Sequence, residues 1–304
     1  MDFLTSRPSL HMLKAELSHL RVAVPLDRMQ DLRELIFTER YGYRSSEPVR
    51  VQTYNNLAKF LASCPAGQIT KLSVKLTSLH EIFQFLSHEV EPLRLKNLQM
   101  GQSFIKLDAL TIPHLRHLTC LHLLSMKTPS NSRKEDSNTS DDTNPERSGD
   151  VENAKNRIGS KISDFWSALR RAEIYLKEIV VNDINTGLFG YLTCYSGLTK
   201  LVISTTCFKT LPESDALARQ FFAEPLASHV DTLGELVVDA GFEDLWCFGE
   251  HNMSAFSSCT GLNRLSVSIA KVDLLDARAD PQTTQNEPEV LVSSRVHSFN
   301  APSV

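Results

Sequence analysis

The densest group of metal-capable side chains is the run Pro113-His114-Leu115-Arg116-His117-Leu118-Thr119-Cys120-Leu121-His122. Imidazole and thiolate are zinc's preferred ligands, but they must converge on one point to hold an ion. This run enters a segment of strand period, where neighbouring side chains point to opposite faces. The pattern therefore assigns His114, His117, Cys120 and His122 to ordinary strand and surface positions, and no metal is expected. Thiol chemistry has six candidates: Cys64, Cys120, Cys194, Cys207, Cys247 and Cys259. They are scattered, with no C-x-x-C pair. Met1 to Pro8 lacks the basic start and long apolar run of a secretory signal. Scattered cysteines without such a signal predict reduced thiols in the cytoplasm or nucleus. Cys64 and Cys259 precede similar apolar phrases and are expected to be small buried residues at corners of the fold. Asp239 to Asp244 is acidic but lacks the alternating oxygen ligands of a calcium loop. The sequence has no G-x-S-x-G, no phosphate-cradling glycine loop and no H-E-x-x-H. The expectation is a protein that is not an enzyme and carries no cofactor.

The elements that would position these residues follow from a short phrase, Leu-x-x-Leu-x-(apolar). Clear copies are Leu32/Leu35/Phe37, Ile69/Leu72/Val74, Leu95/Leu98/Met100, Leu176/Ile179/Val181, Leu198/Leu201/Ile203, Leu233/Leu236/Val238 and Leu262/Leu265/Val267. Weaker copies are Leu10/Leu13/Ala15 and Leu118/Leu121/Leu123. The last two apolar positions of each copy are two residues apart, so on a strand they share a face. One such strand cannot bury that face alone, but stacked copies build a continuous core. Successive phrases begin 22, 37, 26, 23, 58, 22, 35 and 29 residues apart. All leave room for the crossover of about a dozen residues that parallel strands require.

Helical periodicity fills several of the gaps. Tyr54, Leu57, Ala58 and Leu61 share a face over 51–63. Leu79, Ile82, Phe83 and Leu86 do so over 79–90, and Ile162, Phe165, Trp166 and Leu169 over 158–172. Leu217, Phe221 and Phe222 form a stripe over 216–230, which Pro225 should break. Alternating strand and helix predict an α/β fold with right-handed crossovers. The expected form is an irregular leucine-rich-repeat-like solenoid, with parallel strands on one face and helices of uneven length on the other.

The 58-residue interval contains a polar stretch, with Pro129 to Asp142 holding no aromatic or aliphatic residue. Such a composition cannot offset its ordering entropy. The expected organisation is repeats over 1–126, a disordered acidic and polar insertion over 127–160, repeats over 161–278 and a flexible tail over 279–304. Within the tail, Val290-Leu291-Val292 is a weak strand-like run. Phe3 to Pro8 echoes Phe60 to Pro65, so the chain is expected to begin in the last turn of a helix. That turn would be either a short cap or the end of an earlier repeat. Tyr195 to Leu198 and Cys259 to Leu262 look like looser helix exits, with glycine at the C-terminal cap.

With 41% hydrophobic and 22% charged residues, the composition is that of an ordinary globular chain. A formal charge of -4 gives no reason to expect nucleic acid, whose binders usually carry a basic patch or stripe. No run approaches the roughly 18 apolar residues of a membrane span. Protein partners remain, and the sheet face is where they are expected. Residues flanking the inward pair point outward: Glu178, Val180, Lys200, Val202, Glu235, Val237 and Arg264 lead this set. Val180, Val202 and Val237 would form an exposed apolar strip rimmed by Glu178, Lys200 and Glu235, a pattern that often marks partner sites.

Phe256-Ser257-Ser258-Cys259-Thr260-Gly261-Leu262-Asn263-Arg264-Leu265-Ser266-Val267 resembles a repeat of the divergent, fungal-type F-box/leucine-rich-repeat-like proteins. Tyr195 to Ile203 looks similar. The resemblance spans about residues 3 to 275 and covers the repeats only. An F-box is not found; Leu26 to Phe37 resembles its opening helix, but the phrase Leu32/Leu35/Phe37 accounts for the same residues. In that family an F-box docks a Skp-type adaptor of a cullin ubiquitin ligase while the repeats capture substrates. The resemblance thus implies a substrate-recognition part of such a receptor. The alternative is a free-standing repeat scaffold or regulator with no ligase role.

Overall fold

A computed structural model of the chain describes residues 10–16, 31–38, 59, 61, 64, 68–75, 91–101, 107–124, 163–182, 184–204, 210–239, 245–269 and 297–300. The sequence expectations for 79–90, for the insertion 127–160 and for Val290 to Val292 lie outside these residues. So does most of the expected helix 51–63, of which residues 59 and 61 are helical.

Every copy of the phrase is a strand or runs into one. In order these are β1 (Met12–Glu16), β2 (Glu34–Thr38), β3 (Lys71–Lys75), β4 (Asn97–Gly101), β5 (Cys120–Leu124), β6 (Glu178–Val181), β7 (Lys200–Ser204), β8 (Glu235–Asp239) and β9 (Arg264–Val267). The chain divides into two compact units, Met1–His117 with Leu124–Ala172, and Leu118–Leu123 with Glu173–Val304.

In the first unit β1 to β4 pair in chain order and in parallel, with Leu13, Leu35, Leu72 and Leu98 in one register column. Leu35, Leu72 and Leu98 are buried. A short helix, α1 (Ile112–Leu115), follows. A second, α2, covers 163–171 and buries Phe165, Trp166 and Leu169, the face that the helical periodicity predicts.

In the second unit β5 to β9 are also parallel, and Leu121, Ile179, Leu201, Leu236 and Leu265 share a column. The neighbouring inward column is Leu123, Val181, Ile203, Val238 and Val267, all buried. Within the expected loose tail lies one further strand, β10 (His297–Asn300), antiparallel to β9. Among the described residues no helix is long and apolar enough to cross a membrane.

Helices return the chain between the second unit's strands: α3 (Thr186–Leu192), α4 (Leu211–Ala223) and α5 (Glu250–Ser258). The sequence pattern points to α4 but starts it at 216. It begins earlier because the Thr210 side chain caps the Glu213 amide and Pro212 occupies the first turn, where proline loses no helical hydrogen bond. It ends at Ala223, before Pro225, as expected. Aromatic rings knit these helices together: Phe189 to Phe221 at 5.9 Å, Phe221 to Trp246 at 5.4 Å and Phe222 to Phe256 at 5.3 Å between centroids. The expected glycine caps are displaced. The α3 and α5 caps are Thr193 and Cys259, and Gly197, at φ 111°, makes the left-handed turn into the next phrase.

A backbone device recurs at every step within each unit. The carbonyl of the second residue of a phrase accepts two amide hydrogens, from the second and third residues of the next phrase. His11 O bonds Arg33 N and Glu34 N, Arg33 O bonds Thr70 N and Lys71 N, and Thr70 O bonds Lys96 N and Asn97 N, at 2.9–3.1 Å. Thr119, Lys177, Thr199 and Gly234 carbonyls do the same in the second unit. Because the bond is made by backbone, its residue is free to vary.

The corners are closed by buried polar side chains from the return segments. Tyr191 Oη accepts from Leu176 N at 2.9 Å and donates to Ile174 O at 2.6 Å. His114 Nδ1 accepts from Leu93 N at 2.9 Å, and His229 Nδ1 from Leu198 N at 3.4 Å. Each serves a buried amide at or just before the first leucine of a phrase, which would otherwise lack a partner.

Candidate interaction face

The parallel register of the second unit decides what lies on the outward face. In β6, β7 and β8 burial alternates residue by residue, as strand period requires. The outward residues therefore fall into rows across the strands. The first row is Cys120, Glu178, Lys200, Glu235 and Arg264. The second is His122, Val180, Val202, Val237 and Ser266. A third holds Ser204 opposite Asp239. All seven residues singled out from the sequence, Glu178, Val180, Lys200, Val202, Glu235, Val237 and Arg264, lie in the first two rows.

The first row is organised by charge. Lys200 Nζ lies 2.9 Å from Glu235 Oε2, and Arg264 Nη1 lies 3.0 Å from Glu235 Oε1. Glu235 is thus held from both sides. Its side chain is 20% exposed, against 32% for Lys200 and 53% for Arg264, so water screens these pairs and each adds only about 0–1 kcal/mol. Their consequence is placement: Lys200 and Glu235 are paired in the row beside Val202 and Val237. In the first unit the equivalent row carries a Lys71–Glu34 pair at 2.6 Å, and Ser73 Oγ donates to Gln99 Oε1 at 3.0 Å in the row beside it.

The valine strip is half-buried rather than exposed. Strands about 4.8 Å apart bring branched side chains of one column into contact, so they shield one another. At one end of this row Ser266 is buried, at 5% exposure; at the other stands His122, half-buried. The face presents apolar surface only from Val180 to Val237.

The histidine and cysteine run separates in space. His114 is buried in α1, where burial lowers its pKa and its ring accepts the Leu93 amide as a neutral imidazole. His117 is exposed. Cys120 and His122, two residues apart, share the outward face of β5, with Sγ and Nε2 3.4 Å apart. Register adds a third group that sequence spacing does not bring to them: Glu178 Oε2, 3.6 Å from Cys120 Sγ. Among the described residues no group of three such side chains is placed to hold a metal ion. Cys64 is half-buried and burial pushes its thiol up to about 11; Cys259 is buried and also raised.

His229 and Tyr191 are missed by sequence reasoning. Their only signal is a polar ring in an otherwise apolar stretch, Phe189 to Leu192 for the tyrosine and Leu226 to Val230 for the histidine. Burial lowers the His229 pKa to about 4, with the Leu192 carbonyl opposing the shift. Burial raises Tyr191 and Tyr195 far above the ordinary phenol range. Both effects favour neutral rings that act as hydrogen-bond partners of the corners.

Comparison of the chain with protein-family models, with curated proteins and with solved structures found no match.

Proposed function

We propose that the chain is a leucine-rich-repeat-like β-α solenoid that works as a non-catalytic protein-interaction module. Its partner face is the second unit's outward sheet surface: Glu178, Val180, Lys200, Val202, Glu235, Val237 and Arg264. The observation that carries this reading is the register match of Val180, Val202 and Val237. It sets an apolar column beside an ordered row of charges of both signs, the composition of an interface with a polar rim. The recurring carbonyl bridge supports the solenoid part, because the same bond at each step is what stacked equivalent repeats produce. The finer role is substrate capture for a cullin-type ubiquitin ligase.

Two experiments test the two levels separately. Val202→Glu places a charge in the apolar row between Val180 and Val237. Proteins retained by the wild-type chain should be lost with this variant while its thermal unfolding stays close to wild type; unchanged retention rejects the face. Binding of a purified Skp-type adaptor by full-length protein tests the ligase role, and a clean absence of binding leaves a free-standing scaffold.

A further inference from the structure

We propose that Cys120 is a peroxide-reactive thiol, activated by His122 on the same sheet face. The inference is independent of the partner reading. A thiolate, not a thiol, is the nucleophile, so what matters is where the thiol proton can go and what then faces the sulfur. Cys194 Sγ donates to the Tyr191 carbonyl at 2.9 Å and Cys259 Sγ to the Ala255 carbonyl at 3.5 Å. A carbonyl can accept that hydrogen bond but is not a base at neutral pH. Cys120 Sγ instead points to the Glu178 carboxylate at 3.6 Å, with His122 Nε2 at 3.4 Å. The His122 imidazole can take the proton, since its ordinary pKa of about 6.5 lies far nearer a thiol's than a carboxylate's does, and the imidazolium then pairs with the thiolate. The Glu178 carboxylate, negative beside the sulfur, pulls the other way. Nucleophile and base therefore meet at one contact, as activated thiols require.

The arrangement is a product of the fold. Cys120 and His122 share a face because they are two apart on β5, and the parallel register sets Glu178 opposite Cys120. Cys120 is 8% exposed, so a small oxidant, hydrogen peroxide, is the one to test. In the step, the sulfur attacks one oxygen of hydrogen peroxide. The S–O bond forms, the O–O bond breaks, and the departing hydroxide takes the proton held by His122 to leave as water. The sulfur is oxidised to sulfenic acid and the peroxide is reduced.

The test treats the full-length chain with hydrogen peroxide at pH 7 for timed intervals, then unfolds it in denaturant containing dimedone to trap sulfenic acid and reads each cysteine by mass spectrometry. Cys120 should react at least tenfold faster than Cys64, Cys194 or Cys259. His122→Asn should slow Cys120 by tenfold or more, whereas Glu178→Gln, which removes a negative charge beside the sulfur, should leave it as fast or faster. Cys259 should stay protected in both variants, which certifies the fold; where His122→Asn exposes Cys259, His122→Gln replaces it. Labelling of Cys120 no faster than the other thiols, or an unchanged Cys120 rate in a folded His122 variant, overturns the proposal.

Discussion

Acid should loosen this protein through one buried histidine, and the size of the effect follows from its surroundings. His229 is 2% exposed and its Nδ1 accepts the Leu198 amide. A proton on that nitrogen would remove the acceptor and put a charge into the core, so the folded chain resists protonation down to about 4. The unfolded chain protonates near the ordinary value of about 6.5. The folded-state value is the lower one, so the stabilisation is complete above about 6.5 and is lost as pH falls from there toward 4. Each pH unit between the two values amounts to about 1.4 kcal/mol, so the whole interval amounts to about 3 kcal/mol. His114 is shifted in the same direction by burial and adds to the wild-type slope. The variant to compare is His229→Asn, whose side-chain oxygen can still accept the Leu198 amide but does not titrate. Urea unfolding of both proteins at half-unit steps from pH 7 to pH 4 is the assay. Wild type should lose about 3 kcal/mol more than the variant across that range. Parallel curves would refute the placement of a neutral, buried imidazole at this corner.

Tyr191→Phe strips the acceptor from Leu176 N and the donor from Ile174 O, both buried. It should cost about 1–3 kcal/mol and speed hydrogen exchange at the Leu176 amide; an unchanged amide would contradict the bond. Leu201→Ala opens a cavity in the inward column and should cost about 2–5 kcal/mol by denaturant unfolding. Val202→Glu, its neighbour on the opposite face, should cost no more than about 1 kcal/mol. A larger loss for Val202→Glu than for Leu201→Ala would invert the two faces of the strand.

The strands of each unit were legible because one phrase states both their period and their inward residues, and the register columns follow from aligning the copies. The helices were less so. α3 carries Gly187 and Gly190, and α5, Glu-His-Asn-Met-Ser-Ala-Phe-Ser-Ser, buries only Asn252 and Phe256. α5 shows no apolar stripe, and that of α3, Leu188, Phe189, Tyr191 and Leu192, covers little more than one turn. α5 starts because of a cap, Asn252 Oδ1 accepting from Gly249 N at 3.1 Å, and not because of periodicity. The carbonyl bridge between phrases has no sequence signature, since backbone atoms make it. The candidate face was legible as two rows of residues. Its ion pairs, the mutual shielding of its valines and the approach of Glu178 to Cys120 depend on cross-strand distances that spacing along one chain does not specify.

The central claim is that the sheet face, and not the helical side, meets the partner. A photo-cross-linking amino acid placed at position 202, and separately at 253, tests it most directly. Met253 is the matched control, an exposed apolar residue on α5. Irradiation in cells should give a discrete protein adduct from position 202 and none from position 253. An adduct from 253 with none from 202 would contradict the account.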